Sequence, residues 1–198
     1  MDRPGRNTTG LDELPPGLTA RRLKLLKEAA PHITRVALLS TTPGTGGHEI
    51  QVADAESIAT ELAVSLKTYR AASLSELELA LATMPADGIN GLVNFQGALS
   101  LVNRDRITEF ASKYRIPAIY QSKHFVDSDG LMALAPDQDE QFRAAARSVD
   151  KILKGADAGS LPIRHPARYF LTINQRAAKA IGLDIPPDVL ARADTIVK

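Results

Sequence analysis

The chain is 198 residues long, enough for one medium domain or a small domain with an appendage, and 44 % apolar with 24 % charged residues is ordinary globular composition. Lys and Arg number 24 against 23 acidic residues, so the net charge of +1 lacks the basic surplus of a duplex nucleic-acid binder. The absence of cysteine excludes disulfides, thiolate nucleophiles and Cys-held zinc, and no apolar run reaches the ~18–20 residues that span a bilayer. Met1-Asp2-Arg3-Pro4-Gly5-Arg6-Asn7 carries no apolar stretch behind its charges, so the chain as written is expected to lack a secretory leader and to stay in the cytoplasm.

In chain order, Thr19 to Ala30 reads as a basic amphipathic helix with Leu23, Leu25 and Leu26 inward and Arg21, Arg22, Lys24 and Lys27 outward. Arg35 to Ser40 is a buried strand, Gly44 to Gly47 a loop, and Glu49 to Leu62 a helix with Ile50, Ala53, Ile58 and Leu62 on one side. Val64 to Tyr69 has the alternation of a strand. Ser73-Leu74-Ser75-Glu76 opens the next helix as a capping box. Ile89 to Phe95 is the third strand, Leu101 to Tyr114 the third helix, Ile116 to Tyr120 the fourth strand and Leu131 to Leu134 a short fifth. Gln138 to Lys154 is a long helix closed by Gly155, followed by a linker over Ala156 to Pro166. Arg168 to Ile173 reads as one more strand, and Gln175 to Ile181 and Pro187 to Val197 as two short helices.

Four consecutive strand–helix units predict an α/β fold, Rossmann-like, with a parallel five-stranded sheet in the flavodoxin-like order 2-1-3-4-5 over residues 33–136 and helices on both faces. Ligands of such sheets sit beyond the carboxyl ends of the strands. That points to Ser40-Thr41-Thr42, Asn94-Phe95-Gln96, Tyr120-Gln121-Ser122 and Ala135-Pro136-Asp137. Three of these four segments are polar and uncharged, which suits hydrogen-bonding walls better than acid–base machinery.

Other chemistry is weaker in the sequence. Pro43 to Glu49 stands where a dinucleotide loop would, and Gly44 and Gly46 match its first two glycines, but Glu49 occupies the third position. Tyr69 and Arg70 stand where the ribose-binding acid would be. His32, His48, His124 and His165 lack metal-ligand spacing and read as loop or solvated residues. Ser40, His124 and Asp127 lack the nucleophile-elbow context of a triad. Catalytic residues, metal ligands and cofactors are therefore all expected to be none.

The pieces resemble, in register, one family: the substrate-binding proteins of ABC importers related to tryptophan-type and other small-solute binders. The resemblance is carried by Arg3-Pro4-Gly5-Arg6-Asn7-Thr8-Thr9-Gly10-Leu11, Arg22 to Pro31, Arg35-Val36-Ala37-Leu38-Leu39 and Pro117-Ala118-Ile119-Tyr120. Gly130-Leu131-Met132, Val149 to Gly155, and the tail from Ile173-Asn174 through Gly182 to Pro187 with Leu190 to Asp194 complete it. It implies a type I periplasmic-binding-protein fold, of which 1–136 is the second lobe (core 33–136) and 137–198 a C-terminal segment returning to a first lobe that the chain mostly lacks. The implied role is binding a small, amino-acid-like molecule for an ABC permease and ATPase, in the periplasm or at the cell surface.

By position, the resemblance places ligand contacts on Ser40, Thr41, Thr42, Asn94, Phe95, Gln96, Tyr120, Gln121 and Asp137. Ser40-Thr41 replaces the family's frequent Trp-Asn, and Ala133 to Asp137 departs from its usual last crossover. With one lobe, binding is expected to be weak and turnover nil. No nucleic acid and no membrane insertion are expected, and the C-terminal segment is expected to self-associate, because Arg168 to Ile173 would be a strand without a sheet. A Rossmann-type nucleotide-dependent enzyme and a degenerate, non-binding fragment are the alternatives.

Overall fold

The computed structural model describes residues 4–198; Met1-Asp2-Arg3, on which the leader expectation and the start of the Arg3 segment rest, lies outside the described residues. The chain divides into two compact units, Pro16–Ala135 with Phe170–Lys198, and Met1–Pro15 with Pro136–Tyr169.

The larger unit is built on one sheet. Its strands are β1 (Arg35–Ser40), β2 (Ser65–Arg70), β3 (Gly91–Asn94), β4 (Ala118–Tyr120), β5 (Met132–Pro136), β6 (Tyr169–Asn174) and β7 (Thr195–Val197), in the order β2-β1-β3-β4-β5-β6-β7. The first five follow the order read from the sequence, and the pairs β1–β2, β1–β3, β3–β4 and β4–β5 are parallel. In β1 every residue after Arg35 is buried, as expected of a strand covered on both faces, whereas the edge strand β2 alternates.

The sheet nevertheless has seven strands, not five. The segment expected to be a strand without a sheet is β6, a neighbour of β5. The Asn174 N–H donates to the Leu131 carbonyl at 2.8 Å, and Leu171 and Ile173 are buried. The expected helix over Pro187 to Val197 stops early as α9 (Pro187–Ala191), and Thr195–Val197 pairs in parallel with β6 as β7. The β-branched run Thr195-Ile196-Val197 favours a strand there, and the Asp194 carboxylate accepts the Leu171 N–H at 2.8 Å, anchoring its entry. Residues 170–198 thus group with the sheet in one compact unit.

The helices of this unit are α1 (Leu18–Ala29), α2 (Gly46–Ala59), α3 (Leu74–Thr83), α4 (Ala98–Val102), α5 (Arg104–Lys113), α6 (Lys123–Asp127), α8 (Gln175–Ala180) and α9. The α3 cap is the one read from sequence: Ser73 Oγ accepts the Glu76 N–H, and the Glu76 carboxylate reaches back to the Ala72 N–H. The helix expected over 101–114 breaks at Asn103, whose side-chain amide donates to the Leu99 carbonyl at 2.8 Å and so competes with the backbone ladder. In α2 the glycines Gly46 and Gly47 are already helical, because Thr45 caps the helix. Its buried face is His48, Gln51 and Ala55, and Ile50 is exposed.

Arg22 is a further correction. Its pattern places it outward, yet it is fully buried, and its Nε and Nη2 both donate to the Leu134 carbonyl, at 3.1 and 2.9 Å. A guanidinium can satisfy a strand-end carbonyl in this way, which ties α1 to β5 across the sheet's face.

In the smaller unit, Leu11 forms a parallel bridge with Arg164, and the Asp12 N–H donates to the Arg164 carbonyl at 2.9 Å. A Cβ on Gly159 would stand 2.1 Å from the Arg6 carbonyl oxygen, so only glycine allows that approach. The long helix α7 (Gln138–Leu153) ends as read, at Gly155 with φ +94°.

Replacing Arg22 with Ala is expected to cost about 2–4 kcal/mol in urea unfolding, since it deletes two buried charge-assisted hydrogen bonds to the Leu134 carbonyl and the packing of a fully buried side chain. The exposed neighbour substitution Arg21→Ala should stay within about 0.5 kcal/mol. Equal effects of the two would contradict the role given to Arg22.

Candidate functional site

Because β1, β3 and β4 are adjacent and parallel, their carboxyl ends lie side by side, about 4.8 Å apart per strand. β1 delivers Ser40 and then Thr41 and Thr42, β3 delivers Asn94 and then Phe95 and Gln96, and β4 delivers Tyr120 and then Gln121. The first two groups meet directly. Leu39 is in register with Asn94, and the Phe95 N–H donates to the Leu39 carbonyl at 2.8 Å. The Thr42 hydroxyl approaches the Gln96 carbonyl at 3.5 Å, the limit of a hydrogen bond. A Cβ on Gly97 would stand 2.2 Å from Thr41 Oγ1, so this glycine lets the loop after β3 close against Thr41.

The polar groups gathered here are largely unsatisfied. Thr41 Oγ1, both amide atoms of Asn94, and Gln121 Oε1 are buried without a protein partner. Asn94 is 0 % exposed, so its unsatisfied amide cannot be dismissed as a solvated side chain. Leaving such groups unpaired costs about 1–3 kcal/mol each. Phe95 is also fully buried and packs at 6.1 Å from the ring of His48.

Tyr120 is not brought to the same place. Its ring stacks on Phe125 at 4.6 Å, within the apolar core formed with Ile107, Phe110 and Ile116, and burial pushes its hydroxyl pKa up. Asp137 belongs to the smaller unit, where its carboxylate caps α7 by accepting the Glu140 N–H at 3.1 Å.

The sequence reads His48 as a solvated histidine, but its side chain is fully buried beside the end of β1. Its Nδ1 lies 2.7 Å from Ser40 Oγ, and its Nε2 accepts from Arg70 Nε at 3.2 Å. The guanidinium can only donate, so Nε2 bears no proton and the neutral ring carries its hydrogen on Nδ1, donating to Ser40. Burial lowers the His48 pKa, the Arg70 charge adds to this, and the Glu49 carboxylate opposes it. The polarity is the reverse of a Ser–His–Asp arrangement, in which the ring accepts the serine proton and an acid orients it. Here a cation holds the ring and the serine oxygen is the acceptor, so Ser40 gains no general base. The spacing of eight residues between Ser40 and His48 carries no recognised motif; only the strand–loop–helix geometry joins them.

The loop Pro43 to Glu49 occupies the position of a phosphate-binding turn, but the exposed Glu49 carboxylate lies in the first turn of α2, where it repels an anion at the helix N-terminus. Among the described residues no three His, Asp or Glu side chains cluster in a way that could hold a metal ion, and no helix is long and apolar enough to cross a membrane.

Among solved structures, the chain is similar to the ABC domain in complex with L-Trp from Streptococcus pneumoniae, at 19 % identity and a TM-score of 0.89 over 99 % of this chain and 67 % of that one. It is similar to a conserved domain protein from Vibrio cholerae, at 23 % identity and a TM-score of 0.90 over 98 % of this chain and 64 % of that one. A periplasmic solute binding protein of an ABC transporter from Actinobacillus succinogenes, with bound D-allose, matches at 14 % identity and a TM-score of 0.63, over 87 % of this chain and 63 % of that one. The chain therefore spans about two thirds of the length of these relatives and shares the fold of type I periplasmic binding proteins. No curated protein sequence matches it. The family model described as ABC transporter substrate binding protein matches residues 1–197, and with the sheet order and strand-end loops above, the chain belongs to that family.

Proposed function

We propose that this chain is a solute-binding component of an ABC importer, and that the carboxyl ends of β1, β3 and β4 form one wall of its ligand site. The observation that carries the proposal is the buried, unpartnered and uncharged polar set of Thr41, Asn94 and Gln121. A folded chain tolerates such groups where their hydrogen bonds are completed by something outside it, and strand-end loops of a parallel sheet are where such ligands sit. Ser40, Thr42, Phe95 and Gln96 complete this wall, while Tyr120 supports it from the core. Asp137, the residue that caps α7, is proposed as a further ligand contact.

The ligand is proposed to be small and amino-acid-like. The L-Trp complex of one structural relative supports that class, and the D-allose of another supports a neutral polar solute recognised by hydrogen bonds. Delivery to a permease and ATPase, in the periplasm or at the cell surface, follows from the family reading, as does assignment of residues 1–136 to the second lobe and 137–198 to a segment returning to the first. The reversed polarity of the Ser40–His48 contact supports binding without turnover. In the smaller unit, α7 leaves Phe142, Val149 and Leu153 exposed, which supports self-association through that helix.

Calorimetry of the full chain against L-tryptophan, other neutral L-amino acids and D-allose tests the assignment. Saturable heat with an L-amino acid, at micromolar or weaker affinity, is expected, and is expected to vanish in Thr41→Val. Response to D-allose alone would overturn the amino-acid class, and silence to the whole panel at millimolar concentration would overturn the binding function.

Asn94→Leu separates binding from stability. It removes two unpaired buried polar atoms while keeping the branched side-chain skeleton, so it should raise unfolding free energy by about 1–2 kcal/mol while abolishing binding. A loss of stability of similar size would show that the Asn94 amide is satisfied in the free protein.

A further inference from the structure

His48 grips both ends of the loop that carries Thr41 and Thr42. Its ring holds Ser40, the last residue of β1, and its backbone N–H donates to Thr45 Oγ1 at 3.3 Å and to the Thr45 carbonyl at 3.0 Å. Thr45 Oγ1 in turn donates to the Thr42 carbonyl at 2.9 Å. The four residues Thr41 to Gly44 are thus bracketed by one side chain and the helix turn it starts.

The ring does this only while Nε2 is an acceptor. A proton added at Nε2 would set two N–H donors, and two positive charges, against each other at the present 3.2 Å to Arg70. The charged groups facing the ring are Arg70 from β2 and Glu49 from α2, 3.8 Å from Nε2; β1 contributes the neutral Ser40 and the end of β3 the neutral Phe95. Burial of the ring is the main force against the added proton; the Glu49 carboxylate opposes it, and the Arg70 charge works with it. Arg70, exposed at a strand end, has water available as an alternative partner.

We propose that His48 is a positioning residue for the ligand wall: as a neutral ring it fixes the Thr41–Gly44 loop, and its protonation releases that loop. The role rests on the solute-binding reading for its purpose, but not for its detection, because it is read without any solute. Acidification would then loosen the β1 side of the wall and leave Asn94 and Gln121 in place.

The test is nitrogen-detected NMR of the full chain between pH 8 and pH 4, with ring signals of His48 and backbone amides of the loop followed together. At pH 8 the ring is expected to be the Nδ1–H tautomer. Its midpoint should lie below the ordinary histidine value of 6.5, and the amides of Thr41, Thr42 and Gly44 should move with the same midpoint. His48→Gln keeps one donor and one acceptor without titrating, so those amides should be flat across the range. Glu49→Gln, a surface change that leaves the fold intact, should lower the midpoint further, and Arg70→Gln should raise it. An Nε2–H tautomer, a midpoint above 6.5, or loop amides that ignore the His48 titration would each overturn the proposal. Failure of calorimetry with every solute, with this NMR pattern intact, would overturn only the binding function.

Discussion

Parallel pairing is the constraint on which the rest of this molecule depends. Once β1, β3 and β4 run in one direction, each crossover returns the chain over a face of the sheet, and these three strands end on the same side. Covered on both faces by those crossovers, β1 has five of its six residues buried. These strands then give way to short loops that emerge side by side, and the proposed ligand wall is a consequence of strand direction rather than of any single motif.

The same ends show two opposite treatments of polar groups. Where the fold needs a fixed geometry, the groups are closed internally: Arg22 satisfies the Leu134 carbonyl, and Ser40, His48 and Arg70 form a continuous chain. Between these fixed points Thr41, Asn94 and Gln121 are left open. Each open group works against stability, and Gly97 lets the β3 loop approach one of them, Thr41. In the proposed binding wall these fixed contacts preorganise the open groups, which limits the ordering cost of association.

The strands and their order were legible because they rest on local signals. β-branched runs bounded by polar residues located β1 to β5, and the Ser73–Glu76 pair located the start of α3. The failures have one cause: they are residues whose partners are distant in sequence. Arg22 carries a helix-surface composition, yet its partner is a carbonyl 112 residues away. β6 is apolar enough to be a strand, but its place beside β5 is set by a contact between Asn174 and Leu131 that no local pattern announces. His48 stands in a glycine-rich turn that resembles a solvated loop, and only the packing of α2 beside β1 buries it. Strand-end position led to Ser40, Thr41, Asn94 and Gln121, whose polar side chains are all buried. It does not separate from them Tyr120, whose ring stacks on Phe125 in the apolar core.

The central claim is that a solute engages the open polar groups at the carboxyl ends of β1, β3 and β4. Mapping backbone amide shifts of the full chain during titration with L-tryptophan, and separately with D-allose, tests it most directly. The account predicts saturable changes centred on residues 40–42, 94–97 and 121–122. Changes confined to the exposed face of α7, or no saturable change with either solute, would contradict it.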